Sequence, residues 1–475
     1  MALGIRAVAA YAPQYRITAE EFTEAWGQFN ASGIEEKAVA GADEDALTMG
    51  AEVARDVLRA DGTDGGSISY LAFATSTPPL EEEDISARLG AMLGVPEAAG
   101  RQVFTGSTRA GTRALKAAMD ADLGDGVGLV VAADCPKGDP DDATDHAAGA
   151  GAAAFVIVEN GPAQVVDHAE YAEPYPGTRF REAGSQRVDG LDVTTYDRQA
   201  FTEVVAGAVD QLAARDYDVA AVQAPNGRLP YRAAGPIGVD TDAISAAATV
   251  HNLGDTGAAS VPLSLAKALA ADEHDTVLAV GYGSGGGADA LVLESDVGLP
   301  SSLRLDGDAS VSYAEYLRQR GEITSGPPSG GGAYVSVPTW QRSIPQRYRL
   351  EAGRCMDCGS LAFPPEGACT NCGSRQAFEP VELPGTGTVE AVTTISQGGA
   401  PPEFAEQQAR SGDFAVAIVA LDGPNSGMVS VPAQATDVDP EALSVGDDVE
   451  TTIRRIYTQE GVTRYGFKVR PAGEL

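Results

Sequence analysis

The sequence predicts a layered α/β domain, followed by a small cysteine ribbon and a compact all-β barrel. Three observations carry this. Up to about residue 298, short apolar β-type runs alternate with amphipathic helical runs. Four of the five cysteines form two CxxC pairs between Cys355 and Cys372. After Val381 the pattern becomes five short strands with Gly-rich breaks between them.

The opening MALGIRAVAAYAP reads as a strand and not as a signal peptide, because Arg6 interrupts it and no cleavage-like tail follows. Further strands are expected at 68–77, 127–134, 152–159, 218–224, 276–281 and 290–294. Most are continuous apolar runs, as when helices cover both faces of a sheet. Helices are expected at 45–59, 109–121, 198–215 and 260–272. In the third, Phe201, Val205, Ala208 and Leu212 form one apolar stripe. No repeat is visible in the sequence. A helical stretch at 313–320 precedes TSGPPSGGGA, whose Gly326–Gly332 run reads as linker. The expected boundaries are therefore 1–323 for the α/β domain, 324–345 for the linker, 346–378 for the ribbon and 379–475 for the barrel. The barrel strands fall at 387–395, 414–421, 428–433, 449–457 and 464–469, a pattern of OB type.

Composition narrows the function classes. The 475 residues carry 33 Lys+Arg against 68 Asp+Glu, a net charge of −35. Such charge argues against a polyanion as main ligand. Lysine occurs only at 37, 116, 137, 267 and 468. Excess acid with scarce lysine fits a halophilic protein, because molar salt cuts the Debye length to about 3 Å. No apolar run approaches the roughly 20 residues of a membrane helix, so a soluble, cytoplasmic chain is expected.

Cys355, Cys358, Cys369 and Cys372 stand as CxxC pairs with a ten-residue spacer, and Gly359 and Gly373 permit the turn of each knuckle. Four thiolates suit tetrahedral Zn²⁺ in a structural role, since four protein ligands leave no open position. Cys135 stands alone at a strand end and reads as a small buried side chain.

Several segments resemble the archaeal-type 3-hydroxy-3-methylglutaryl-CoA synthases: GIRAVAAYAPQYRI from Gly4, ADCPKGDPDDATDHAAGAGAAA from Ala133, PNGRLP from Pro225, GDTGAAS from Gly254 and GYGSGGGAD from Gly281. The resemblance covers about the first 320 residues and implies a thiolase-type αβαβα fold of two similar halves. The C-terminal part resembles the DUF35 family, a zinc ribbon followed by an OB fold. These two families occur in archaea as separate subunits associated with an acetoacetyl-CoA thiolase. Here they look fused.

The same resemblance assigns four chemistry positions. The family's nucleophilic Cys, at a helix N-terminus where the thiolate is favoured, falls on Thr108 of STRAGT. Its His falls on Gln223, which cannot shuttle a proton near neutral pH. Its Asn falls on Asp255, whose charge would repel a developing oxyanion. Its acid/base Glu falls on Ser76. The ligand side is better kept. Asn226 stands in the PNGR turn, Arg228 and Arg232 match basic positions the family uses for coenzyme A, Ser284 matches a contact in the Gly-rich turn, and Arg187 is a further match.

The leading expectation is therefore a catalytically degenerate, acyl-CoA-binding scaffold subunit. It would partner a thiolase and form a homodimer through the thiolase-like domain within a larger complex. The first alternative is an active condensing enzyme with Ser107 or Thr108 as nucleophile and His251 or His146 as base. The second is nucleic-acid binding by ribbon and barrel through Arg347, Arg349, Arg354, Arg454 and Arg455, against which the acidic charge counts.

Overall fold

The computed structural model describes residues 3–191, 193–213, 216–272, 275–324, 337–396, 402–459 and 461–473. The Gly326–Gly332 run lies outside the described residues. The chain divides into two units. One holds Met1–Gly41 with Asp45–Tyr316, the other Ala42–Glu44 with Leu317–Leu475.

The first unit is built on β1 (Leu3–Tyr11), β2 (Ile68–Ala74), β3 (Gly100–Phe104), β4 (Val127–Asp134), β5 (Gly151–Glu159), β6 (Ala163–Tyr175), β7 (Val219–Val222), β8 (Thr276–Gly283) and β9 (Gly285–Glu294). Their order is β3-β2-β4-β5-β1-β6-β9-β8-β7. The pairings repeat. From β2 through β4 and β5 to β1 they run parallel, antiparallel, antiparallel. From β7 through β8 and β9 to β6 they do the same. Two residue pairs, Gly4–Gln164 and Ile5–Ala163, join the halves. A repeat absent from the sequence is thus present in the topology.

Between the halves lie α2 (Ala110–Met119) and α4 (Ser260–Ala270). Ala114 and Ala118 of α2 and Leu263 and Leu265 of α4 share one core with Ala72 and Val130 of the first half and Ala279 and Leu291 of the second. The small side chains let helices and strands approach closely. Gly111 faces the Ala258 carbonyl and Pro262, where any Cβ would collide. Helix α1 (Ala46–Asp61) packs on the outer face of the first half, with Gly50 against Phe73 and Val131. Asp45 starts it by accepting from the Leu47 and Thr48 N–H groups at 3.0 Å, a capping box closed by Thr48. Helix α3 (Thr194–Val209) covers the second half through Phe201, Val205 and Ala208. These layers read α, β, α, β, α. Helix α3 begins and ends earlier than the expected 198–215, yet Leu212 beyond it stays in the same cluster.

In the second unit, α5 (Val337–Arg349) starts inside the stretch expected as linker. A three-stranded sheet follows, with Glu351–Arg354 between Leu361–Ala362 and Glu379–Glu382. The barrel comprises β10 (Thr386–Ile395), β11 (Phe414–Asp422), β12 (Met428–Gln434), β13 (Asp448–Gln459) and β14 (Val462–Pro471) in the order β12-β11-β10-β13-β14. A parallel bridge from Ala435 to Val469 nearly closes it. All five strands match the expected positions. The barrel is not purely β, because α6 (Pro402–Ser411) stands between β10 and β11. Proline at a first helical position and the helix-forming run after it account for this element.

The cations that kept nucleic-acid binding open are largely used internally. Arg454 is fully buried and donates to Asp437 at 2.8 Å. Arg347 stacks on Trp340 at 4.3 Å, and Arg349 pairs with Glu382 at 2.6 Å. Arg354 lies 3.7 Å from Glu379. Asp43 accepts from Lys468 at 2.8 Å and from Thr436 at 2.9 Å. Burial raises the Asp43 carboxyl, and Lys468 and Arg454 outweigh it, holding the group down to about 2.

Candidate functional site

Four distant segments meet at the turn that leads into α4. After β2 the chain leaves the sheet at Thr75, and Thr75, Ser76 and Thr77 all turn toward Asp134 at the end of β4. Asp134 is fully buried. It accepts from the Thr75 hydroxyl at 3.1 Å, the Ser76 hydroxyl at 2.5 Å, the Ser76 N–H at 3.0 Å, the Ala258 N–H at 2.7 Å and the Thr77 hydroxyl. Asp255, 2% exposed, accepts from the Gly257 N–H at 2.9 Å and forms an ion pair with Arg179. Gln223, at the end of β7, donates its Nε2 to the Gly257 carbonyl at 2.9 Å. Gly257 has φ +53°, and a Cβ there would strike the Asp134 carboxylate. A glycine is therefore required where the two carboxylates converge. Thr108 precedes α2 and donates its hydroxyl to the Tyr282 carbonyl at 2.6 Å. Gly111 brings that helix end against Ala258.

The structure thus gathers Ser76, Gln223 and Asp255 around one turn and sets the helix that follows Thr108 beside it. The Gly257 and Ala258 N–H groups, which could stabilise an oxyanion, are each taken by a carboxylate. The Thr108 proton goes to a peptide carbonyl, not to a base.

Of the segment 177–191, the sequence pointed only to Arg187. Paired Phe180–Asp189 backbone bonds of 2.8 Å and a Leu191-to-Gly177 bond of 2.9 Å fold it into a strap. Val188 ties it to the Lys137 carbonyl at 2.7 Å. Two of its side chains reach the assembled positions, and Thr178 beside them meets the Tyr282 side chain. Thr178 meets the Tyr282 hydroxyl at 3.2 Å, Arg179 pairs with Asp255, and Arg181 donates to the Ser76 carbonyl at 2.8 Å. The alternation in Thr178-Arg179-Phe180-Arg181, with Phe180 exposed, was the available signal.

The glycine run at 281–287 belongs to a hairpin and not to a wide loop: β8 and β9 pair from Thr276 to Glu294 with Ser284 at the tip. Its glycines make room for side chains. Gly281 lies against Thr112, Gly283 against Ser107 and Arg109, and Gly287 against Arg109. Arg109 donates its Nε to Asp289 at 2.9 Å, and Thr112 donates to the same carboxylate at 2.7 Å.

The coenzyme-side candidates separate. The Asn226 side-chain oxygen accepts from the Arg228 and Leu229 N–H groups at 2.9 and 3.0 Å, in the turn that leads into the helix Leu229–Ile237. Arg228 and Arg232 are exposed one helical turn apart, and neither side chain has a hydrogen bond or ion pair among the described residues. Ser284 is half-buried, and Arg187 pairs with Asp139 on the surface.

Neither histidine faces Thr108. His251 lies in a short helix, Val250–Leu253. It bonds the Tyr231 hydroxyl at 2.8 Å and the Gly33 carbonyl at 2.5 Å. His146 stacks on Phe29 and accepts the Asn30 N–H at 2.9 Å. Burial and then Lys37 lower its pKa. Cys135 is half-buried and not fully buried, and desolvation pushes its thiol up to about 12.

In the second unit the four ribbon sulfurs lie within 4.8 Å of one another. Cys355–Cys372 and Cys358–Cys369 approach to 3.7 and 3.6 Å, close to the roughly 3.8 Å edge of a tetrahedron with 2.3 Å Zn–S bonds. The Gly359 and Gly373 N–H groups donate to the Cys355 and Cys369 carbonyls at 2.8 Å, both glycines having φ 74°. Hydrogen bonds from Ser360, then Asn371, pull the Cys358 thiol down to about 6. The donor set fits Zn²⁺.

A five-layered αβαβα domain of two repeated halves, with the assembled positions where the halves meet, is a thiolase-superfamily domain. It is joined here to a cysteine ribbon and an OB barrel. Comparison with known proteins agrees. Residues 342–379 match the ChsH2 rubredoxin-like zinc ribbon domain, 380–454 the ChsH2 C-terminal OB-fold domain, and 208–295 the 3-oxoacyl-[acyl-carrier-protein] synthase III C terminal. The hydroxymethylglutaryl-CoA synthase of Methanocella arvoryzae is 30% identical over 349 residues, covering 68% of this chain and 99% of the relative. That of Archaeoglobus fulgidus is 29% identical over 355 residues, covering 68% and 99%. The chain belongs to the hydroxymethylglutaryl-CoA synthase family. A crystal structure of an HMG-CoA synthase complexed with CoA shares the fold, with TM-score 0.62 at 18% identity over 71% of this chain and 94% of that one. Among the described residues no helix is long and apolar enough to cross a membrane.

Proposed function

We propose that the thiolase-like domain is a catalytically degenerate, acyl-CoA-binding scaffold that partners a separate thiolase. The ribbon, held by structural Zn²⁺ on Cys355, Cys358, Cys369 and Cys372, and the barrel supply a bridging module. One observation carries the reading. The positions that should hold nucleophile, base and oxyanion donors hold instead Thr108, bonded to the Tyr282 carbonyl, and an internal polar network of Gln223, Asp134, Asp255 and Arg179. Such a network retains a folded site while removing its proton shuttle. The unpaired surface arginines Arg228 and Arg232 support binding of coenzyme A phosphates, since guanidinium suits phosphate. The domain is expected to dimerise within the larger assembly.

The test is gentle affinity purification of the full chain from cells that make it, in molar salt so that acidic surfaces do not repel. A thiolase subunit is expected to co-elute. A chain that runs alone as a homodimer contradicts the partnership.

A further inference from the structure

The two ribbon knuckles repeat one sequence, Cys-x-x-Cys-Gly-Ser, at 355–360 and 369–374. Their backbones repeat too. The Cys355 and Cys369 N–H groups donate to the Ser360 and Ser374 carbonyls at 2.9 and 2.8 Å. In each knuckle the first cysteine, Cys355 or Cys369, is buried, and the second, Cys358 or Cys372, is exposed. The two serines differ. The Ser360 hydroxyl lies 3.1 Å from Cys358 Sγ and 3.1 Å from Cys369 Sγ. The Asn371 amide adds a longer contact to Cys358 Sγ at 3.6 Å. The Ser374 hydroxyl instead accepts the Gln376 N–H at 3.3 Å. Among the described residues no hydroxyl or amide side chain reaches Cys355 Sγ or Cys372 Sγ, which lie 3.7 Å apart. One sulfur pair is therefore hydrogen-bonded by side chains and the other is bare.

We propose that Cys372 is an oxidative modification site for a hydroperoxide, with Cys355 as the resolving thiolate. The proposal rests on the reading that the ribbon holds Zn²⁺, and it adds a chemistry to that reading. Cysteines that bind a metal are already deprotonated. Their order of attack then follows exposure and intrinsic nucleophilicity, which falls as hydrogen bonds stabilise the thiolate charge. Exposure selects Cys358 and Cys372. Ser360 and Asn371 weaken Cys358 as a nucleophile, which leaves Cys372. The Cys372 thiolate attacks one peroxide oxygen, and the O–O bond breaks to leave a sulfenic acid and hydroxide. The Cys355 thiolate then attacks that sulfur, the S–S bond forms, and a second hydroxide leaves. The two sulfurs give up two electrons, solvent supplies two protons, and the peroxide ends as two waters. Cys358 and Cys369 alone hold the metal more weakly, its oxidation state unchanged, and the ribbon loses the ion that folds it.

The experiment treats the full chain, as isolated, with one equivalent of hydrogen peroxide in molar potassium chloride. A chromogenic chelator reads released zinc. Alkylation with one reagent before reduction and a second after it marks the oxidised cysteines, and peptide fragmentation locates each label. The Cys355–Cys372 disulfide is expected about tenfold above Cys358–Cys369, the effect of one hydrogen bond to a charged group, and zinc release should rise with it. Ser360→Ala should bring the two pairs to equal yield. Ser374→Ala should leave the ratio of the native chain, since that hydroxyl is turned to Gln376. If Ser360→Ala does not hold zinc, Asn371→Ala takes its place, with a smaller shift toward Cys358–Cys369 expected. Equal yields in the native chain overturn the proposal. So do a first disulfide within one CxxC pair, thiols that stay unchanged, and a ratio that Ser374→Ala moves as far as Ser360→Ala. In those cases zinc in the untreated chain leaves the structural role standing. An untreated chain without zinc contradicts that role and this proposal together.

Discussion

The cysteine cluster and the Gly257 site differ in how their parts are spaced along the chain. The cluster draws its four sulfurs from two neighbouring knuckles between Cys355 and Cys372, and every ligand is in place. The Gly257 site draws on Ser76, Thr108, Asp134, Arg179, Gln223 and Asp255, which come from distant parts of the chain. A local motif serving a structural metal loses its function when one ligand is lost. A dispersed site can be refilled residue by residue, because each buried polar replacement needs only one new partner. Asp255 with Arg179 is such a pair.

The largest break in this comparison is expected at the ribbon. Cys355→Ser, or chelation of the metal, should unfold residues 350–380, because metal binding and folding are coupled at such sites. Limited proteolysis with metal analysis reads this out. A ribbon that stays folded and protected without metal contradicts the structural role.

The next effect is at Asp255. Arg179→Met leaves that carboxylate buried without its cation and should cost about 3 kcal/mol, read as lowered stability in denaturant. Adding Asp255→Asn should restore most of the loss. If the double variant is no more stable than the single one, the two residues do not act as a pair.

Acid should act on the second unit through Asp43. Its folded carboxyl is held at about 2, below the ordinary value of 3.8. The stabilisation is therefore full above pH ~4 and is lost as pH falls toward 2, with a contribution of about 2 kcal/mol. Denaturation at descending pH should show this step in the native chain and not in Asp43→Asn. The smallest effect is at Asp134. Thr75→Val removes one of its donors at 3.1 Å and should cost about 1 kcal/mol. A cost several times larger would show that Asp134 is not redundantly bonded.

Legibility followed the same division. Periodicity placed the barrel strands and most sheet strands, because each is a continuous apolar or alternating run. Spacing alone identified the ribbon. The motifs aligned Ser76, Thr108, Gln223 and Asp255 with the site, and the structure brings their segments together. Hidden from the sequence were the partners of these four residues. Arg179 and Arg181 lie on an irregular strap whose alternation spans only residues 178–181, and Asp134 ends a strand that looked purely structural. The function of the glycines at 281–287 was hidden too, since the run shows where backbone comes close but not that Ser107, Arg109 and Thr112 fill the space. The repeat of the two halves is a property of pairing order, which no local pattern encodes and which only the family resemblance implied.

The proposed replacement of the condensing chemistry by an internal polar network has one chemical consequence: no acyl-enzyme forms. Its most direct test is intact-mass measurement of the full chain after incubation with excess acetyl-CoA in molar salt. The account predicts one unmodified species at 48.7 kDa. A species heavier by one acetyl group, mapped by peptide sequencing to Ser107 or Thr108, would contradict it and show that a hydroxyl nucleophile is active in this site.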